Sequence, residues 1–569
     1  MNLVTSRFNS RKGVLTLFLT FCIISSFTVA LADMKGSHHP DGTFDVKKGR
    51  VPLLKGLYAL EFQVSTKNKK AQEYFNQGLV LTYGFDHSDA EVSFLEAASH
   101  DPDLAMAYWG VAFVLGPNIN AAMEDINVPK AFEMIQKAMT LADKASEKEQ
   151  ALIGALAKRY APKPLKNRSP LDQAFADAMG DVYLKYPDDP DIAVIYAEAL
   201  MDLHPWDYWT EDGQPKPWTS AIKKILERSL KTHPRHPHVH HLYIHLMENS
   251  SNPEAAVKSA DIILNLVPAS GHLVHMAGHA YYAAGLYNDC SRANEKALGV
   301  DRMLVSSFDT SGLYQLAYVP HVLHYLLASY MMEGRSSEAI HIARTLAEDI
   351  DSKMMRKPGM GTLQHYYLTP YYTLVRFGRW EEILKEPMPA EDLLYPRGML
   401  HYARGMAFVR KGKNDRAEAE LKHLSDILNN SAIEPVKIWD INDAKDLLAI
   451  AADVLTGEIA AANGKIDSAL QTMEKGVKKE MALIYDEPPP WYFPVRQALG
   501  TILLENGQIE RAEAVFRKDL NKNAENPWSL FGLMQCLRKA EKSVQAEDME
   551  KRFLRAWARA DIDLQRPLF

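Results

Sequence analysis

Cysteine is nearly absent from this chain, with three in 569 residues, at positions 22, 290 and 536. Cys22 falls in an N-terminal apolar run, so only Cys290 and Cys536 could pair. Residues so far apart in a repetitive chain are poor candidates for a bridge that needs Cα atoms within about 7 Å. Disulfides therefore do not hold this fold, and its core must. An excess of basic charge is also missing. The formal charge is −7 and the pI is near 6.3, so no nucleic-acid footprint is present. After residue 32 no run of 18 or more apolar residues occurs, which predicts no membrane span in the mature chain. Several catalytic signatures are missing as well: HExxH, a glycine-rich phosphate loop, G-x-S-x-G, and any defensible Ser/His/Asp arrangement. These absences lean against an enzyme. What remains, 47% hydrophobic and 24% charged, is ordinary for a globular or repeat protein.

The N-terminus is different in kind. Arg7, Arg11 and Lys12 precede the apolar run Val14 to Val29, which leads into Ala30-Leu31-Ala32. A positive start, a short apolar centre and an A-x-A exit predict a signal peptide over 1–32, cleaved after Ala32. The expected location is outside the cytoplasm, periplasmic or secreted. Removing this segment takes the formal charge from −7 to −10. Cys22 has no lipobox-like surroundings, which argues against lipid anchoring. Residues 33–66 read as a leader, polar at first and extended from Gly56 to Val64, with Ser65 or Thr66 able to cap the first helix.

From residue 67 the chain is helical and repetitive. Gly78, Ala90, Phe94, Ala97 and Pro102 recur as a skeleton at Gly278, Gly285, Cys290 and Ala297, and at Gly334, Ala339 and Ala343. It returns at Gly405, Gly412, Ala417 and Leu421, and at Gly500, Gly507, Ala512 and Phe516. Small residues are needed where helices touch, and this spacing resembles the tetratricopeptide repeat (TPR) family. The resemblance implies an all-α, right-handed superhelical solenoid of about a dozen TPR-like helical hairpins over 67–569. A subdivision is possible near 351–363. Insertions interrupt the array at Pro205 to Pro217, at Arg302 to Val319, and at Glu487 to Pro494, where consecutive prolines require extended backbone. The stretches FNQGLVLTYGFDHSDA, PWDYW, HLVHMAGH and PPPWYFPVRQALG are similar to those of a group of exported bacterial TPR proteins. That likeness supports fold and export and supplies no mechanism.

The chemistry concentrates between residues 238 and 279. His238, His241 and His245 have an H-x2-H-x3-H spacing, and His272, His275 and His279 repeat it 34 residues later. Each trio lies within roughly 60° on one side of a helix. Apolar and small residues occupy the opposite side, so both trios are expected to face away from the core, and the TPR resemblance implies that this side lines a concave groove. Glu248 continues the first stripe, and His321 and His324 take matching slots after an insertion, followed by His365. His240 reads as a packed core histidine, whereas His204, His233 and His236 read as termini, turns or solvated positions.

Neutral imidazole is a common ligand for transition metals, and histidines at i and i+4 can share one ion. With no thiolate nearby, copper or zinc is the expected metal, held by some of His238, His241, His245, His272, His275, His279, His321, His324 and Glu248. Two other readings stand beside this one. The groove could be an interaction surface for a peptide or protein partner, or a bound metal could activate water as in a metal-dependent hydrolase.

Overall fold

The computed structural model describes residues 51–57, 62–210, 213–307 and 314–568. The expected signal segment and most of the expected leader lie outside them. The architecture is all-α, a succession of antiparallel, TPR-like helical hairpins running from Lys69–Tyr83 to Ser543–Ala556. Among the described residues the strands are two-residue pieces, Lys437–Ile438 and Asn442–Asp443, paired antiparallel within one connector. This small ladder is absent from the sequence expectation. No described helix is long and apolar enough to cross a membrane.

The end of the leader is packed. Val51 and Phe62 are buried, and the Tyr74 hydroxyl donates to the Val51 carbonyl at 2.9 Å. The first helix is capped by Asn68, whose side chain accepts from the amides of Lys70 and Ala71 at 3.0 and 3.3 Å. Ser65 and Thr66, the expected caps, instead bond Glu149 and Asp101. Asparagine serves as well as serine at this position, because a short acceptor reaches the orphan amides of the first turn.

Helices stack here by wedging a large ring between two glycines. A Cβ on Gly78 would come within 2.8 Å of the Phe94 ring, and one on Gly110 within 2.5 Å. Phe94 thus fills the space shared by three consecutive helices, Lys69–Tyr83, His87–His100 and Ala105–Val114. The device returns near the other end, where Phe516 sits between Gly500 and Gly532, at 2.7 and 2.4 Å. Gly532→Ala is expected to cost about 1–3 kcal/mol through overpacking. The urea midpoint measures this, and an unchanged midpoint would mean that the ring repacks without strain.

The stack also curls back on itself. Its last hairpins meet its middle, where Tyr287 donates to the Ala524 carbonyl at 2.8 Å and Trp528 donates to the Met331 carbonyl at 3.2 Å. The amide of Ser336 donates to Asp561 at 2.7 Å. From the other end, the first hairpin reaches residues 191–270. The Tyr83 hydroxyl donates to Asp191 at 2.5 Å, and a Cβ on Gly84 would lie 2.6 Å from Ser270 Oγ. The central repeats are enclosed from both sides. Cys290 and Cys536 are buried free thiols.

Candidate metal centre

Three helices supply the centre: Pro237–Met247, Gly271–Ala283 and Val319–Glu333. The first and third begin with proline in the first turn, where a fixed φ favours the helix and no amide bond is lost. His236 caps the first helix, accepting from the Val239 amide through Nδ1 and meeting Asp191 through Nε2 at 3.0 Å. It sits at a helix terminus, one of the positions the sequence allows, and is buried there. In the second helix, Gly278 leaves space for Asn294, whose Nδ2 a Cβ would approach to 2.5 Å.

Both trios lie on the helix faces that their spacing predicts, yet those faces are not open. All six histidines are buried, none more than 2% exposed. The expectation of a solvated groove is corrected here. The physical reason is the curl of the stack, which lays two distant segments over the stripe. From the first hairpin, the Phe85 ring lies 4.5 Å from His241 and 5.5 Å from His272, between centroids. From the far end, residues 485–493 cross the opposite flank and place Glu487 and Tyr492 among the imidazoles. His240 is packed as expected, its Nε2 bonded to the Pro234 carbonyl at 2.9 Å.

The ring nitrogens divide into groups. His241, His245 and His272 each offer one ligand atom within 4.8 Å of the others, and so do His275, His279 and His321. His245, Glu248, His279 and Glu487 form a third group within the same limit. His241 and His272 approach Nε2 to Nε2 at 3.2 Å, and His275 and His279 at 2.8 Å. Nitrogens around one tetrahedral ion lie roughly 3–3.5 Å apart. Two candidates fall outside these groups. His238 stacks on Tyr83 and bonds Glu198 at 3.2 Å, whereas His324 bonds Tyr492, which lies 3.3 Å from His365 Nε2.

Outer atoms aim the rings. His241 Nδ1 donates to the Tyr83 carbonyl at 2.8 Å. Asn294 donates through Nδ2 to the Cys290 carbonyl, so its Oδ1 accepts from His275 Nδ1 at 2.5 Å. Glu248 accepts from His245 Nδ1 at 2.8 Å through one oxygen and from His279 Nδ1 at 2.7 Å through the other. In each case Nδ1 is engaged outward and Nε2 is left for the centre, which is how metal-ligating histidines are held.

Charge follows the same plan. Burial, reinforced by neighbouring histidines, pushes His241, His245, His272 and His275 well below the ordinary imidazole value. Burial takes His321 down to about 3. Neutral rings carry the lone pairs that a metal needs. His279 is the exception. Burial opposes its protonation, but the Glu487 and Glu248 carboxylates outweigh that and raise it to about 10. Burial and the neighbouring Glu487 push Glu248 well above its usual range. Burial would raise Glu487 too, but His279 holds it well below the ordinary carboxylate value.

Glu487, Tyr325, Asn294 and Phe85 carry no assigned role in the sequence reading. Tyr325 had a usable signal, since it lies four residues after His321 on the same helix face, and it meets His279 Nδ1 at 3.2 Å. Asn294 comes from the next helix of the same hairpin, whereas Glu487 and Phe85 arrive by long-range closure and leave no local pattern. One flank stays partly open: Glu487 and His321 are half-buried, with half-buried Trp206 and Tyr485 nearby and the Trp206 ring 5.1 Å from that of His245.

The fold and this centre define a TPR-like helical stack with a buried histidine–glutamate cluster. No family model and no curated protein matches the chain. Among solved structures it is similar to a human IFIT1 dimer with PPP-AAAA, at 12% identity and a TM-score of 0.30, over 86% of this chain and 92% of that one. The human IFIT1 dimer with m7Gppp-AAAA gives the same identity and score over 86% and 90%. Likeness at that score says nothing of ligands here.

Proposed function

We propose that this chain is an exported TPR-like protein that holds a transition metal, copper or zinc, in its buried histidine–glutamate centre. One observation carries the reading: His241, His245 and His272 bring ligand atoms within 4.8 Å while the outer nitrogens of His241 and His245 are bonded away from the centre. Burying so many imidazoles is costly unless each finds a partner. Yet His245 Nε2, His272 Nδ1 and His321 Nδ1 have no hydrogen-bond partner among the described residues. A bound ion satisfies His245 Nε2 directly. The donors are imidazole and carboxylate, which suit copper and zinc, and copper ranks higher in affinity for nitrogen sites. Met331 and Met332, on the Val319–Glu333 helix, are buried in the apolar core.

A peptide lying along the histidine stripe is disfavoured by the same burial, because Phe85 and residues 485–493 occupy that space. A protein partner would have to use another surface of the stack. The half-buried flank at Glu487 and His321 supplies the entry path that metal exchange needs.

Elemental analysis of untagged protein purified at neutral pH tests the proposal. Copper or zinc is expected to co-purify or to be taken up stoichiometrically. At a hundredfold excess over Kd it should stabilise the fold by about 2.7 kcal/mol. No uptake and no thermal shift with either metal would sink the reading.

A further inference from the structure

We infer that the centre holds two metal ions side by side, one on His241, His245 and His272 and the other on His275, His279 and His321. This rests on the metal-binding reading and goes beyond it in number and arrangement.

The two sets share no residue, and each is compact by itself, with all its ligand atoms within 4.8 Å. The six nitrogens do not gather as one group within that limit. One ion with bonds of about 2.0–2.1 Å therefore serves one set and not both. Each set holds a close Nε2 pair, at 3.2 Å between His241 and His272 and at 2.8 Å between His275 and His279. Three histidines leave a fourth position vacant on each ion, as in open three-histidine sites.

The remaining group, His245, Glu248, His279 and Glu487, takes one histidine from each set. Glu248 binds the Nδ1 side of both rings, at 2.8 and 2.7 Å. Those two nitrogens are already engaged, so this group acts as the hinge that orients the two sites and is not a third site. His245 Nε2, 2% exposed and without a partner, is the free donor that this arrangement assigns to the first ion. His321 closes the second set from the Val319–Glu333 helix, its ring 5.1 Å from that of His275 and 5.5 Å from that of His279. Glu248 and Glu487 are the carboxyl groups beside the two sets, and two divalent ions would leave more positive charge in this buried space than two monovalent cuprous ions.

Anaerobic titration of the full mature chain with cuprous copper, against a competing chelator, reads the stoichiometry, and zinc is titrated in parallel. Two equivalents of copper per chain are expected. His272→Gln and His321→Gln, each removing a donor from one set only, should each retain one equivalent. One equivalent in the wild type would overturn the pair while leaving a metal protein, and no uptake of either metal would overturn both readings. If His272→Gln loses all copper while keeping its helicity, the sets are not independent and the inference fails. If His272→Gln does not fold, His321→Gln decides alone, since its ring is half-buried and the cost of its removal is smaller.

Discussion

Stripped of metal, a Glu487→Gln protein is expected to be several kcal/mol less stable than the wild type at pH 6 and to close most of that gap by pH 10. Glu487 lies 3.1 Å from His279 Nδ1, and the two side chains are 12% and 1% exposed. Burial alone would strip the proton from His279, but Glu487 and Glu248 keep it, with the folded value raised to about 10. A raised histidine contributes stability that is complete below the unfolded value of about 6.5 and declines as the pH climbs toward the folded value. The decline is about 1.4 kcal/mol per pH unit across that window. Glutamine preserves the shape of the side chain but not its charge, so the variant loses much of this term at pH 6 and has less to lose at pH 10. Urea unfolding of both proteins at pH 6, 8 and 10, with chelator, measures the difference. Taking a difference cancels the titrating groups that lie away from Glu487, whereas Glu248, which Glu487 pushes up, changes with it. Parallel stability curves for the two proteins would show that His279 is not held charged by Glu487.

The parts of this centre differ in how far they could be read from sequence. Repetition of H-x2-H-x3-H at one repeat length is local information, and helical geometry converts it into two stripes without reference to the rest of the chain. The Gly–Phe–Gly wedges are equally local, and Gly78 and Phe94, with Gly500 and Phe516, mark their hairpins from the spacing of small and large residues. Burial of the stripes is different. It depends on where the stack curls, which is set by every interface between successive hairpins, so Phe85 meets His241 with nothing near either residue to announce it. Glu487 is harder still. It sits 162 residues from Tyr325, its hydroxyl partner on the Val319–Glu333 helix, in a proline-rich stretch whose only local message is extended backbone. The amphipathic reading of the helices fails for a related reason. A stripe of histidines opposite an apolar face suggests water on the polar side, but polar rings can be buried when each finds a partner, as His241 does in the Tyr83 carbonyl.

That burial changes what the most direct test should show. His241→Ala combined with His275→Ala is expected to abolish copper and zinc uptake and also to lower the unfolding temperature of the metal-free protein. Each substitution takes one donor from one set, so neither set keeps three histidines. If the stripe faced solvent, the apo protein would hardly notice. Here both rings are fully buried, and each supplies a donor to a buried acceptor, the Tyr83 carbonyl and Asn294 Oδ1 respectively. Leaving such an acceptor unpaired costs about 1–3 kcal/mol, and the vacated space adds a cavity term. Loss of metal must then be separated from loss of fold. A control with His238→Ala and His324→Ala does this, because those rings are 0% and 3% exposed yet belong to neither set. The control is expected to be destabilised to a similar degree and to keep its metal. Uptake is compared by elemental analysis at a temperature where circular dichroism shows both variants fully helical. If the control loses metal and the test pair retains it, the ions sit elsewhere in the histidine array and the assignment to these two sets is wrong.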